Sequence, residues 1–423
     1  MSGNGRTDGG TSRRNYLRGA AGSATLAAIT GCLGGGLGGG GGDSVTIGGT
    51  IPTSGPYGEI GGNQKQAVEL AVKHANEDGD AGDREIEVVF RDTQTDPQRA
   101  TQVARELITQ ENADFLAGNF SSSVALAIGE LAQREDVIYT CVGGSNALTG
   151  KQCRANVFNA GNSAVMQTSG GLRYVLEQGL GESVYEITAD YSWGQSIQNW
   201  NETQIVPSFD GVEYLGNTFV DFGATDYSQA ITKARNSGAD IISFNLFASN
   251  HVQSAQQAGD FGLFEDHVCV WPATGIIEAA QIGPQILSHE NFYASAPWYW
   301  QHDVSAAREF ANSFNEEYDT RPLGFSASMY AGVRTTLRAI NAADGTEANA
   351  VRDEMEDREL FPQLWNVGER FRACDHRATI ATMTVKGRPP EEVDGQNYYR
   401  ILEVPQDPEE TQMRTCEQTG CSF

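Results

Sequence analysis

The residue types that carry out catalysis do not form a recognisable motif in this sequence. It contains no G-x-S-x-G, G-x-x-x-x-G-K-[ST] or H-E-x-x-H pattern, which would mark a serine nucleophile, a phosphate-binding loop or a zinc-binding helix. Asp375 and His376 are neighbours, but adjacent residues on a strand point to opposite faces. We therefore expect a structural role for this pair, no catalytic residue and no cofactor.

Residue types that bind small molecules are concentrated in short loops. Hydroxyls and backbone N–H groups at a predicted helix start favour a carboxylate or carbonyl oxygen, glycines allow close approach of the backbone, and aromatic rings can form walls. Taken singly, each loop could simply cap a helix or pack locally. The five loops are Gly118–Ser123, Gly143–Ser145, Asp190–Gly194, Asn245–Asn250 with Phe247, and Trp271–Gly275.

Each of these loops follows a predicted strand. From Val45 onwards, short apolar runs alternate with amphipathic segments, which is typical of βα units around a parallel sheet. Open α/β sheets bind ligands at the carboxyl ends of their strands, so the joint placement predicts a ligand cleft between two doubly wound α/β lobes. We also predict a helix near Val165–Gln178 and a strand-rich tail over Phe361–Val404. The predicted strands are Val45–Ile51, Ile86–Phe90, Asp114–Ala117 and Val137–Cys141 in one lobe, and Val184–Thr188, Val212–Val220, Asp240–Phe244 and Val268–Val270 in the other.

The charge of the chain excludes one class of partner. The 423 residues include 29 Lys and Arg against 55 Asp and Glu, a formal net charge of −26, whereas nucleic-acid binding requires a basic face. Only five of the basic residues are lysines. Acid-rich, lysine-poor chains are typical of proteins that work in molar salt, where self-repulsion is screened. An ordinary acidic extracellular protein is the alternative.

The N-terminus predicts export and a lipid anchor. Residues 12–18, with Arg13 and Arg14, precede a small and apolar stretch and match a twin-arginine signal peptide over residues 1–31. Ile29–Cys32 resembles a lipobox, which would make Cys32 the lipidated first residue, although Cys32 could also be an ordinary thiol. Residues 32–42 then form a Gly-rich tether, and the protein would lie on the extracellular face of the cell membrane.

Six further cysteines permit 15 disulfide connectivities. The sequence alone does not choose among them. Cys141 and Cys153 bracket a short Gly-rich loop, which makes them a candidate disulfide pair. A zinc site is the alternative, but the sequence has no C-x-x-C pair and no histidine at ligand spacing. We therefore expect no metal.

Several short segments, taken in order, resemble one family. Thr53–Tyr57 with Gly61, then Ser121–Ser123, Tyr191–Gly194 and Tyr330–Ala331 are similar to segments of the branched-chain amino-acid and amide binding proteins of ABC transporters. The resemblance covers Val45 to about Val404. It implies a type I periplasmic-binding fold whose two lobes are joined by three hinge crossings near Gly161, Pro297 and Phe361. The implied limits are 43–161 plus 298–361 for lobe 1, 162–297 plus 362–405 for lobe 2, and 406–423 for a C-terminal tail.

The resemblance also implies ligand contacts. Tyr57 would close one side of the cleft, while Ser122 or Ser123, with Ser145, would bind a carboxylate or amide oxygen. The other implied contacts are the Gly143 backbone, the walls Tyr191 and Trp193, and, more loosely, Phe247. Thr274 departs from the family, because leucine-binding members place an acid there for the α-amino group of the ligand. Glu278, one helical turn later, could replace it, and urea or short amides stay open as ligands.

The resemblance implies a solute receptor that delivers an amino acid or amide to the permease subunits of an ABC importer. Two other classes stay open. An exported amidase-type enzyme would need a nucleophile with a base in reach, and a ligand-sensing receptor domain can share this fold.

Overall fold

The computed structural model describes residues 44–423. The predicted signal peptide, Cys32 and the Gly-rich tether lie outside these described residues. No helix between residues 44 and 423 has the length and apolar character needed to cross a membrane.

The first sheet has five parallel strands in the order β2-β1-β3-β4-β5. Its central strands are buried on both faces, as expected for a parallel sheet covered by helices on each side. We call this sheet and its helices the first lobe. Its elements are β1 (Ser44–Ile51), α1 (Gly58–Asp78), β2 (Glu85–Asp92), α2 (Pro97–Thr109), β3 (Phe115–Ala117), α3 (Ser122–Arg134), β4 (Ile138–Cys141) and β5 (Val157–Asn159).

The second sheet has seven strands in the order β12-β11-β10-β9-β8-β6-β7. Strands β6 to β10 are parallel, and β11 and β12 join antiparallel at one edge. This sheet and its helices form the second lobe. Its elements are α4 (Ala164–Thr168), α5 (Tyr174–Glu177), β6 (Ser183–Ala189), α6 (Ser192–Trp200), β7 (Glu213–Val220), α7 (Ser228–Asn236), β8 (Ile241–Asn245), α8 (Ser249–Asp260), β9 (Val268–Trp271), α9 (Ile276–Ile282), α10 (Pro284–Leu287), β10 (Phe292–Ala296), β11 (Met383–Gly387) and β12 (Tyr399–Glu403).

The chain passes between the lobes three times. It leaves the first sheet after β5, and it returns after β10 to three helices that pack against α1 and β4. It then crosses again to reach β11. The predicted fold class, two α/β lobes joined by three connections, is confirmed, and the residue limits assigned to each lobe stay predictions. The remaining helices are α11 (Ser305–Tyr318), α12 (Gly324–Ala342), α13 (Ala348–Met355), α14 (Pro408–Thr411) and α15 (Cys416–Thr419).

Two predicted segments differ from the structure. The helix predicted near Val165–Gln178 widens into a π-helical segment over Ser169–Arg173. Gly170 packs there against Thr382, where an added Cβ would lie 2.8 Å from a methyl group. The tail predicted as strand-rich forms only the strands β11 and β12, because side chains accept backbone N–H groups that a strand would pair in a sheet. The Glu369 carboxylate, for example, accepts the backbone N–H groups of three preceding residues, Trp365, Asn366 and Val367.

The candidate disulfide pair Cys141 and Cys153 is not bonded. Cys141 is a buried thiol on β4, and Cys153 instead bonds Cys421, with 5.7 Å between their Cα atoms. A second disulfide joins Cys374 to Cys416. The physical reason is the path of the C-terminal segment, which folds back over the first lobe. Its Arg414 guanidinium donates to the carbonyls of Asn146 and Thr149 at 2.7 and 3.1 Å.

Candidate functional site

Six aromatic side chains meet between the lobes, three from each. Each lies at or just after the carboxyl end of a strand or in the first turn of a helix, where the chain turns towards the facing lobe. Tyr57, Phe120 and Phe325 come from the first lobe, and Tyr191, Trp193 and Phe247 come from the second. We call this cluster the ring pocket.

Four of the six rings contact one another in a closed circuit. Successive ring centroids lie 5.1 Å apart for Tyr57 and Phe120, 5.7 Å for Phe120 and Phe325, 5.5 Å for Phe325 and Phe247, and 5.8 Å for Phe247 and Tyr57. The free volume left between the lining residues is about 20 Å³, room for about one water molecule. A ligand larger than this can enter only if the two sets of rings move apart.

Four further residues complete the lining: Ser122, Gly144, Gln167 and Ala273. Ser122 is the first residue of α3, and the side chain of the N-cap residue Ser121 makes no capping hydrogen bond. Its hydroxyl oxygen accepts the backbone N–H of Ser145 at 2.9 Å, which leaves its own O–H free to donate. The start of α3 therefore offers a hydroxyl, backbone N–H groups and the positive end of a helix dipole.

Gln167 and Gly144 position the ring of Trp193. The Gln167 Oε1 atom accepts the indole N–H of Trp193 at 2.7 Å, and the Gln167 amide nitrogen donates to the carbonyl of Asn162 at 3.3 Å. At Gly144 an added Cβ would lie 2.5 Å from the indole ring, so only glycine allows this contact. Trp193 is therefore fixed from two sides.

Among the described residues that line the ring pocket, none is an Asp, Glu, Lys, Arg or His. The candidate acid Glu278 lies in a neighbouring cavity of about 90 Å³ together with Glu59. Burial, together with the charge of Glu59, raises the pKa of Glu278 to about 7. Tyr57 lines both cavities. Glu278 is thus not in the position of an acid within the ring pocket.

The structure brings together five of the nine predicted binding residues: Tyr57, Ser122, Tyr191, Trp193 and Phe247. It places the other four outside the lining. Ser123 is exposed, and Ser145 accepts the backbone N–H of Ala147 through its hydroxyl. The Gly143 carbonyl accepts from Asn159 at 2.7 Å, and the Thr274 hydroxyl pairs with the Tyr399 hydroxyl at 2.8 Å. The groups of Ser145, Gly143 and Thr274 position loops.

Sequence reasoning missed Phe120, Phe325, Gln167, Gly144 and Ala273. Phe120, Gly144 and Ala273 lie in loops that follow predicted strands, so their position at a strand end is a usable signal. Phe325 and Gln167 follow the chain crossings, and no local pattern distinguishes them from core residues. Asp375 and His376 go to separate partners, Arg372 at 3.0 Å and Glu356 at 3.1 Å, as expected for structural residues.

A larger groove of about 600 Å³ lies away from the ring pocket. It runs between the segment Val165–Arg173, Trp200 and the C-terminal residues 409–418. Three of its four charged groups already have partners: Arg372 pairs with Asp375, Arg173 with Glu177, and Glu409 with Arg370. It also lacks the loops that follow the parallel strands. Size alone therefore does not make it the better candidate.

The comparison with known families fits this geometry. The family model for periplasmic binding proteins matches residues 44–388. The chain belongs to this family. The Leu/Ile/Val-binding protein homolog 7 of Brucella abortus (strain 2308) is 25% identical over 331 residues, which cover 74% of this chain and 80% of the relative.

Solved structures show the same fold. A periplasmic binding protein from Burkholderia mallei has a TM-score of 0.81 at 25% identity, with 90% of this chain and 99% of that chain covered. An amino acid ABC transporter substrate-binding protein from Pseudomonas fluorescens Pf-5 has a TM-score of 0.80 at 21% identity, with the same coverage. The resemblance seen in the sequence is thus confirmed at the level of the family.

Proposed function

We propose that this periplasmic binding protein is the extracytoplasmic solute-binding component of an ABC importer. It binds one small polar ligand in the ring pocket and delivers it to permease subunits in the membrane. The observation that carries the proposal is the origin of the pocket: three rings from each lobe and the start of α3 converge where parallel strands of both sheets end. Ligands of open α/β sheets bind at such ends.

The polar groups of the pocket indicate the chemical group at one end of the ligand. The Ser122 hydroxyl and the first N–H groups of α3 are donors, so they suit a carboxylate or a carbonyl oxygen. The rest of the ligand contacts aromatic surface. The names of the Brucella relatives, which refer to leucine, isoleucine and valine, support an amino-acid-like ligand, and a short amide meets the same polar requirement.

A ligand screen tests this proposal. The thermal midpoint of the protein is measured in molar salt with amino acids, their N-methylated derivatives, amides, urea and small carboxylic acids. We expect at least one compound to raise the midpoint, because a ligand that binds only the folded state stabilises it by mass action. Titration calorimetry then gives the affinity. If no small molecule binds at millimolar concentration, the proposal is wrong.

An enzymatic function is tested by the same preparations. The hydroxyls in the lining belong to Tyr57, Ser122 and Tyr191, and the described lining holds no histidine or carboxylate to act as their base. We expect no turnover of amides or of the best ligand. Sustained product release would favour the amidase alternative.

Export and anchoring complete the proposal. Arg13 and Arg14 would direct twin-arginine export, and Cys32 would carry the lipid. Replacement of both arginines by lysine is expected to leave precursor inside the cell. Cys32→Ser is expected to release the protein from membranes, and a Cys32→Ser protein that stays membrane-bound would exclude the anchor.

A further inference from the structure

The ring pocket holds six aromatic side chains and no charged one among its described lining residues. A ligand buried there obtains no ion pair from these residues, so a charge on the ligand must be stabilised in another way. Aromatic faces attract cations, and the attraction is strongest where water is excluded. Four of the six residues are buried, and Tyr191 and Phe247 are half-buried, so most of the aromatic surface is shielded from water.

The hydrogen-bond acceptors of the lining decide what kind of cation fits. The Ser122 oxygen, the Gln167 oxygen and the Gly144 carbonyl already accept from Ser145, Trp193 and Ala164. The other two side-chain acceptors of the lining, the hydroxyls of Tyr57 and Tyr191, bond each other. A primary ammonium brings three N–H donors, and a buried donor without an acceptor is costly. A quaternary ammonium has no N–H group, so it leaves no donor unsatisfied.

The angles between the rings bear on the shape of the group that they can enclose. Phe247 meets Phe325 at 81°, Tyr57 at 63° and Trp193 at 56°, and edge-to-face packing of this kind is a preferred arrangement of aromatic rings. Only Phe120 and Phe325 are nearly parallel, at 17°. The rings leave about 20 Å³ between them, so they must move apart with the lobes to admit a ligand. Once apart, rings that face different directions suit a rounded group such as trimethylammonium better than a flat one.

We propose that the ring pocket binds a small zwitterion whose positive charge is a quaternary ammonium, held by the six rings, and whose carboxylate faces Ser122 and the start of α3. This inference rests on the proposed function and names its ligand class. It separates the ligand from leucine, isoleucine and valine, whose α-ammonium is primary. It also explains how the pocket can bind an amino-acid derivative without an acid in its lining.

A pair of matched ligands tests the inference. Trimethylglycine and 3,3-dimethylbutanoate have the same shape and the same carboxylate, and they differ in a central N⁺ or carbon. Calorimetric titration into the wild-type protein at one fixed ionic strength should show trimethylglycine binding at least tenfold more tightly. Equal affinities, or tighter binding of 3,3-dimethylbutanoate, would overturn the inference, because the rings would then recognise only apolar volume.

A pair of matched variants assigns the effect to the pocket. Phe247→Leu keeps apolar volume and removes one aromatic face, so it should reduce the preference for trimethylglycine over 3,3-dimethylbutanoate by at least threefold. Phe219→Leu changes an exposed ring on β7 outside the pocket and should leave the preference unchanged. If Phe247→Leu and Phe219→Leu both retain the full preference, the cation is not held by the ring pocket.

Further ligands separate this inference from the proposed function. Isoleucine, benzoate and acetamide are titrated under the same conditions. If one of them binds and trimethylglycine does not, the protein is still a solute-binding component and the quaternary ammonium inference is wrong. If none of the five compounds binds and the wider screen also fails, the proposed function fails as well.

Discussion

The phenolic oxygens of Tyr57 and Tyr191 lie 3.3 Å apart and join the two lobes across the ring pocket. Burial raises the pKa of Tyr57 to about 12 and that of Tyr191 well above its ordinary value. Both hydroxyls therefore stay protonated at neutral pH, and one donates to the other. This hydrogen bond stabilises the arrangement in which the rings of the two lobes meet.

Tyr191→Phe should weaken ligand binding about two- to tenfold. The change removes one hydroxyl and leaves the ring, and a neutral hydrogen bond contributes about 0.5–1.5 kcal/mol. Titration calorimetry with the best ligand of the screen measures the effect. Tyr318→Phe on α11 is the matched control, since that side chain lies outside the ring pocket. If Tyr191→Phe binds the ligand as tightly as the wild type, the hydrogen bond between Tyr57 and Tyr191 does not stabilise the bound state.

Ser122→Ala should weaken binding about five- to a hundredfold, because a buried polar group of the ligand would lose its hydrogen bond at a cost of about 1–3 kcal/mol. Ser123→Ala changes the next residue, which is exposed and outside the lining, and should have no effect. Ser145→Ala should also leave affinity nearly unchanged. A loss of affinity in Ser123→Ala equal to that in Ser122→Ala would place the ligand on the other side of the start of α3.

The contrast between Ser122 and Ser145 shows how far the sequence predicts this protein. The alternation of strands and helices is a local property of the sequence, and it places both residues at the carboxyl ends of strands. Which hydroxyl points into the pocket depends on a contact between them, since Ser122 accepts the N–H of Ser145. Phe325 reaches the pocket only because α12 packs against α1, a contact between segments more than 240 residues apart. Such packing leaves no local signal.

The C-terminal segment should be held by the disulfides Cys153–Cys421 and Cys374–Cys416. Peptide mapping without reduction should find these two pairs, with Cys141 and Cys269 as buried thiols that react with iodoacetamide only after unfolding. Cys421→Ser should lower the free energy of unfolding by about 2–5 kcal/mol, because the bond closes a long loop in the unfolded chain. A Cys141–Cys153 peptide in the map would contradict the structure.

High salt should stabilise the protein. Residues 1–31 carry four arginines against one aspartate, so the rest of the chain has a net charge of −29. In dilute buffer these charges repel one another, and at 1 M salt the Debye length falls to about 3 Å. Far-UV circular dichroism should show a thermal midpoint that rises with KCl. Sucrose at equal osmolality, which does not screen charge, should give a smaller rise, and a midpoint independent of KCl would exclude adaptation to salt.

Glu278 should make stability fall as pH rises. Burial, together with the nearby Glu59, raises its pKa from 4.5 to about 7, so the folded state binds this proton more tightly than the unfolded chain. Its contribution to stability is complete below about pH 4.5 and is lost as pH rises through about 7. The shift corresponds to about 3 kcal/mol.

Glu278→Gln should remove part of this pH dependence. The amide keeps the shape of the protonated acid and does not ionise, so the variant should be more stable than the wild type at pH 8 and about equally stable at pH 4.5. Part of the dependence should remain, because burial also raises the pKa of Glu186 to about 7. Urea unfolding at fixed pH between 4.5 and 8 measures the difference. Glu316→Gln, which removes the same charge from an exposed position on α11, should leave the slope unchanged. If Glu278→Gln also leaves it unchanged, the Glu278 carboxyl does not gain a proton on folding in this range of pH.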